Sequence, residues 1–194
     1  MRIALTGASG KLGAVVAREL RAHGWDVIGM DVVGTRAPDF VQVDEEYPAR
    51  PESVYSLVKT LEEQLARELV RWHPDLSITA LRFSNVMVPE DYAAFPSFDA
   101  DARQRKWNLW GYIDARDGAQ AVERALQVAK PGFDRFIIAA ADTVMSRPNA
   151  ELIAEVFPGV PMTREVGPNE TLLSIDHARE VLGYDPQHSW RDHV

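Results

Sequence analysis

Tyr55-Ser56-Leu57-Val58-Lys59 sets a phenol and an ammonium four residues apart, a spacing that a helix turns onto one face. A neighbouring cation favours tyrosinate and suits the phenol to exchange a proton with a substrate hydroxyl or carbonyl. The same spacing also describes a tyrosine and a lysine that merely meet on a solvated face. A second pattern bears on that choice. Thr6-Gly7-Ala8-Ser9-Gly10-Lys11-Leu12-Gly13 is a G-x-x-G-x-x-G run near the start of the sequence. Between a strand and a helix, the first glycine permits a tight turn, the second lets backbone approach a pyrophosphate, and the third lets helix pack on strand. Free N–H groups at the helix start then face the anion. Lys11 is followed by Leu12, with no hydroxyl to hold magnesium, so the run is not a P-loop. Asp31 stands 18 residues beyond Gly13. At the end of the next strand it would accept hydrogen bonds from an adenosine ribose and repel a 2′-phosphate, which favours NAD. Arg36 leaves NADP open. Without a cofactor, the same residues read as capping glycines and a solvated acid.

The elements that must position these groups follow from periodicity. Ile3–Leu5 is a short strand, Val15, Val16 and Leu20 recur at helical spacing until Gly24, and Trp25–Met30 is a second strand. Phe40–Val43 is a short candidate third strand, and Asp44–Pro51, acidic with two prolines, is loop. Val54, Leu57, Val58, Leu61, Leu65 and Leu69 make Glu52–Trp72 an amphipathic helix. Ser77–Val86 reads as strand, Asp91–Arg105 as an irregular polar loop suited to a site or a partner, and Trp107–Asp114 as an extended aromatic segment. Helices are expected over Asp117–Val128, Pro148–Phe157 and Ile175–Leu182. Phe133–Ala141 reads as a strand buried on both faces, and Met162–Val166 as a further strand. Strands alternating with helices point to an α/β fold with a mostly parallel sheet.

With these motifs in place, the chain resembles the extended short-chain dehydrogenase/reductase family, in its NAD-dependent epimerase/dehydratase branch. Residues 6–13 look like that family's cofactor turn. Asp44-Glu45-Glu46-Tyr47-Pro48-Ala49-Arg50-Pro51-Glu52-Ser53-Val54-Tyr55 resembles its approach to the catalytic tyrosine. Leu81-Arg82-Phe83-Ser84-Asn85-Val86 is similar to the strand whose end lies near the nicotinamide, and Tyr112-Ile113-Asp114-Ala115-Arg116-Asp117 to the strand before a C-terminal-lobe helix. The resemblance implies Tyr55 as general acid/base and Lys59 as its tuning partner and holder of the nicotinamide ribose. It assigns cofactor contacts to Gly7, Ser9, Gly10, Lys11, Leu12, Gly13, Asp31, Lys59, Phe83 and Asn85. The implied fold is a Rossmann-like, doubly wound, mostly parallel sheet with a small C-terminal substrate lobe. As a single domain over 1–194, its dinucleotide-binding core would be 1–86 plus 133–141, with 87–132 and 142–194 as the lobe and C-terminal elements.

The sequence departs from the family between the second strand and the tyrosine. Only 23 residues separate Asp31 from Tyr55, where two strand–helix units of roughly 30 residues each would supply central strands and the Ser or Thr that completes the catalytic set. Thr35 and Ser53 are the upstream hydroxyls of the interval, and neither sits on a strand aimed at the site. Missing central strands would leave an apolar edge for another strand or a second copy of the chain to cover, so a homodimer is expected.

Composition narrows the partners. At 194 residues, 46% hydrophobic and 26% charged, the chain can bury a substantial core. The balance of 21 basic and 29 acidic residues gives a net charge of −8, which disfavours nucleic acid and anionic membrane surfaces and leaves a small-molecule substrate. With no cysteine, a disulfide scaffold, a thiolate metal site and a cysteine nucleophile are excluded. The five histidines are scattered without metal-ligand spacing, and no metal site is expected. No signal peptide and no run of 18 apolar residues is present in the sequence, so a cytoplasmic location is expected. Trp107, Trp110 and Tyr112 are either a substrate wall or lobe packing. Arg82 and Arg116 either meet an anionic substrate such as a nucleotide sugar or form salt bridges. Asn85 either supports the nicotinamide pocket or caps a loop.

Overall fold

The structure, a computed structural model, describes residues 2–6, 26–30 and 37–193, the first two stretches as strand backbone. The expected cofactor turn (Gly7, Ser9, Gly10, Lys11, Leu12, Gly13), its following helix and Asp31 lie outside the described residues. The chain divides into two compact units, Met1–Thr35 with Pro48–Glu68, and Arg36–Tyr47 with Leu69–Val194. Residues 1–86 and 133–141, expected to share one core, are therefore distributed over both.

In the first unit, β1 (Arg2–Thr6) and β2 (Asp26–Met30) are apolar runs that pair in parallel, from Arg2↔Asp26 to Thr6↔Met30. Helix α1 (Val54–Trp72) begins at a reciprocal serine cap. Ser53 Oγ accepts from the Ser56 amide at 3.0 Å, and Ser56 Oγ accepts from the Ser53 amide at 3.0 Å. Two otherwise orphaned amides are thereby satisfied. The helix stops just ahead of Pro74, whose ring disfavours a helical residue before it. Ala66 is the buried residue of α1, while Leu57, Leu61 and Leu65 of its apolar stripe are exposed.

The second unit carries β3 (Ser77–Phe83) paired in parallel with β6 (Gly132–Ile138), and β4 (Val86–Met87) paired in parallel with β5 (Ile113–Asp114). Helix α2 (Ala115–Gln127) follows β5 directly, its first turn capped by the Asp114 carboxylate, which accepts from the Arg116 amide at 2.8 Å. Two further helices, α3 (Asn149–Val156) and α4 (Asp176–Leu182), complete the described set. Gly183 ends α4 in a left-handed conformation (φ 67°) that an L side chain would strain. One apolar cluster gathers Tyr92, Phe95, Trp110, Tyr112, Leu152 and Trp190; a second joins β6 to α2 and α4 through Phe136, Ile138, Ala121, Ala178 and Leu182.

Several expectations need correction. Asp91–Arg105 is not an irregular loop: Pro89–Ala100 and Ala102–Asn108 are 3-10 helical segments. Tyr92, Phe95 and Phe98 recur every third residue, the period that stacks side chains on a 3-10 turn. Successive ring centroids lie 5.3 and 5.8 Å apart, with Tyr92 and Phe95 buried. Trp107–Asp114 forms strand only at Ile113–Asp114, with Gly111 in an isolated antiparallel bridge to Thr143; Leu109 and Trp110 adopt left-handed φ values of 52° and 57°. Phe40–Val43 and Met162–Val166 form no ladder. They meet through the single parallel bridge Val41↔Met162, while Val43 bridges to Leu173. The strand expected over 77–86 breaks at Ser84-Asn85, and burial of β6 is confined to its C-terminal half.

Candidate functional site

On α1, Tyr55 and Lys59 share a face as their spacing requires, with the Lys59 ammonium 5.8 Å from the centre of the Tyr55 ring. Tyr55 is 68% exposed. Lys59 Nζ lies 2.7 Å from Glu62 Oε2, and that hydrogen bond raises its pKa above the ordinary lysine value, holding the ammonium charged. Ser53, two residues before the tyrosine, is committed to the helix cap, since its hydroxyl also lies 2.9 Å from the Ser56 hydroxyl.

Phe83 and Asn85 belong to the other unit, at the C-terminal end of β3. The Ser84 amide donates to Ile138 O at 2.9 Å and the Asn85 carbonyl accepts from the Ile113 amide at 3.0 Å, so the strand end is pinned on both sides. Phe83 packs over Gly118 of α2, where an added Cβ would meet its ring at 3.4 Å. With its amide oxygen turned toward the guanidinium, Asn85 accepts from both terminal nitrogens of Arg105, at 2.8 and 3.1 Å. The Arg105 guanidinium also lies 5.1 Å from the Phe98 ring centre and 5.4 Å from that of Trp107. Sequence reading passed over Arg105 as one charge in a polar stretch; the signal was the aromatic residues on either side of it.

The remaining candidates fall mostly to structure. Trp110 and Tyr112 are fully buried in the first apolar cluster, whereas Trp107 is about half exposed (48%). Arg116 chelates Asp114 through Nε and Nη2, at 2.8 and 2.9 Å, and the Tyr92 hydroxyl donates to the same carboxylate. Burial alone would raise the Asp114 pKa, but the Arg116 and Tyr92 hydrogen bonds outweigh it and hold the carboxyl well below the usual range. Arg82 donates to the Glu45 carbonyl at 3.3 Å. His188 meets buried Asp117 at 2.8 Å and His177 meets Asp134 at 3.2 Å. Among the described residues no group of three or more His, Asp or Glu side chains is arranged to hold a metal ion.

The parallel strand pairs and the helices of the described residues agree in architecture with solved structures. A UDP-galactose 4-epimerase matches with a TM-score of 0.51 and 16% identity, over 97% of this chain and 94% of its own. The chain shares the fold of this epimerase. A short-chain dehydrogenase/reductase superfamily protein from Agrobacterium tumefaciens, solved with bound NAD, matches with a TM-score of 0.53 and 18% identity, over 98% of this chain and 94% of its own. A UDP-N-acetylglucosamine 4-epimerase from Bacillus cereus matches with a TM-score of 0.53 and 15% identity, over 98% and 95%. No family model and no curated protein matches the sequence. The chain's architecture is thus Rossmann-like and α/β. Among the described residues, no helix is long and apolar enough to cross a membrane.

Proposed function

We propose that this protein binds NAD and carries out oxidoreductase or epimerase chemistry on a small molecule bearing a hydroxyl or carbonyl. The observation that carries the reading is the register of β1 and β2. Thr6 and Met30 are partners at the carboxyl end of this parallel pair, the edge at which dinucleotides bind in such sheets, and in the sequence Gly7 and Asp31 follow them. Gly7, Ser9, Gly10, Lys11, Leu12 and Gly13 would hold the pyrophosphate, Asp31 the adenosine ribose, and Lys59 the nicotinamide ribose. Bound NAD supplies hydride acceptance and return. Tyr55 takes or gives the proton at its hydroxyl oxygen, and Lys59 holds a positive charge beside it. The fold shared with NAD-bound and UDP-sugar enzymes supports this reading.

A homodimer belongs to the same proposal, supported by the exposed apolar stripe of α1 that a second copy would cover. So does a cytoplasmic setting, for a chain without cysteines needs no oxidising compartment. The second reading is a dinucleotide-binding or sensing protein without turnover, favoured by the commitment of Ser53 to the α1 cap, which leaves the catalytic set without that hydroxyl.

Thermal unfolding with and without excess NAD, and with NADP in comparison, is the test. NAD at a hundredfold over its dissociation constant stabilises the fold by about 2.7 kcal/mol. A shift with NAD followed by turnover in a screen of hydroxy substrates is expected. A shift without turnover favours the sensor, and the absence of any shift overturns both readings.

A further inference from the structure

The Arg105 guanidinium is a desolvated cation that faces no carboxylate among the described residues. Burial lowers its pKa with no carboxylate opposing the shift, and among the described residues none pairs with it. Its hydrogen bonding is half used. The end-on fork, formed by the two terminal nitrogens, is occupied by the Asn85 oxygen at 2.8 and 3.1 Å. The side-on fork includes Nε, which is buried and has no partner. A buried donor left unpaired is costly, and the spare fork has the planar, two-pronged geometry that a carboxylate accepts. Phe98 and Trp107 cover the guanidinium, which directs a ligand to its edge.

The surrounding turn is built at a cost. Leu109 and Trp110, both buried, hold consecutive left-handed backbone angles. Such strain persists where the fold enforces it, often beside a binding site. The turn also buries Ser84 Oγ and Asn108 Oδ1 without partners. At Gly111 an added Cβ would sit 3.0 Å from Ser84 Oγ and 3.1 Å from the backbone carbonyl of Asn108.

We infer that Arg105, steadied by Asn85, is the anchor for a carboxylate group of the substrate. The polar groups gathered at the turn, Ser84, Asn85 and Asn108, are neutral, so one guanidinium balances the single charge of a carboxylate better than the multiple charge of a diphosphate. Nε is buried, so ligand entry requires one of the covering rings to move, and Trp107 is the half-exposed one. The inference takes its substrate from the proposed oxidoreductase or epimerase function, but anion capture at Arg105 is measurable without it.

The experiment is a titration of the whole protein with acetate at constant ionic strength, with acetamide, phosphate and pyrophosphate as comparisons. It follows the arginine Nε–H resonances by NMR and the tryptophan fluorescence, with Trp107→Phe assigning the latter. Acetate is expected to move the Arg105 Nε–H signal saturably and to change Trp107 emission, while acetamide does neither. Arg105→Lys, which keeps the charge and loses the fork, should weaken acetate at least about tenfold. An Nε–H signal unmoved by acetate overturns the inference, as does tighter binding of phosphate or pyrophosphate at the same resonance. The wild-type titration decides by itself should the variant misfold. A positive acetate result without an NAD-induced thermal shift keeps the carboxylate site and removes the redox reading.

Discussion

Arg116 grips Asp114 with two nitrogens of its guanidinium at 2.8 and 2.9 Å, one residue after β5 gives way to α2. Asp114 is fully buried, while nearly half of the Arg116 side chain meets solvent. The carboxylate also caps α2 and accepts the Tyr92 hydroxyl, tying the first 3-10 segment to the strand end.

Arg116→Ala leaves that buried carboxylate short of its cation. A clear loss of stability is expected at pH 7, smaller than for a fully buried pair because the arginine is solvated. The pH dependence follows from Asp114, whose folded pKa lies below the unfolded value of about 3.9. Its contribution is present above that value and lost as pH falls through the folded pKa. In Arg116→Ala the folded pKa rises, so the acid transition moves to higher pH. Urea denaturation of both proteins between neutral and acid pH reads the shift, and coincident acid limbs would refute it.

Tyr55→Phe removes the proposed proton carrier from an exposed position. Turnover should fall by roughly 10²–10⁴-fold, the usual scale of acid–base catalysis, with NAD affinity and melting temperature unchanged. Steady-state kinetics beside an NAD binding isotherm separates the two quantities. Unaltered turnover would remove Tyr55 from the chemistry.

Glu62→Gln frees Lys59 from the hydrogen bond that raises its pKa. The Lys59 titration midpoint, followed by NMR at the carbon beside Nζ, should move down toward the ordinary lysine value. Stability should scarcely change, as is common for exposed ion pairs. A midpoint that stays in place would mean that Glu62 does not hold the ammonium in solution.

Ser53→Ala tests whether that hydroxyl is cap or catalyst. Losing a cap costs about 1 kcal/mol, and the paired serines of α1 predict that loss in thermal or urea unfolding, with turnover per folded molecule unaffected. A collapse of turnover at full stability would return Ser53 to the catalytic set.

The sequence by itself determined what depends on near neighbours along the chain. The i, i+4 spacing of Tyr55 and Lys59 needs only a helix, and the apolar period from Val54 to Leu69 provides one. The parallel pairing of the first two strands was likewise implicit in a strand–turn–helix–strand order. The resemblance in residues 81–86 and 112–117 located the β3 end and the start of α2, both local signatures.

Tertiary structure decided whatever depended on a distant partner. Whether Trp110 and Tyr112 lined a substrate wall or filled a core turned on Tyr92, Phe95 and Trp190 arriving from other segments. Arg82 and Arg116 carry the same charge in sequence, yet one meets the Glu45 carbonyl and the other the Asp114 carboxylate. Arg105 stood apart from both only once folding had brought Asn85 to one of its forks, covered it with two aromatic rings and, among the described residues, left the Nε of the other without a partner. A charge's role is set by what folding removes from around it as much as by what it supplies, and spacing along a chain records neither.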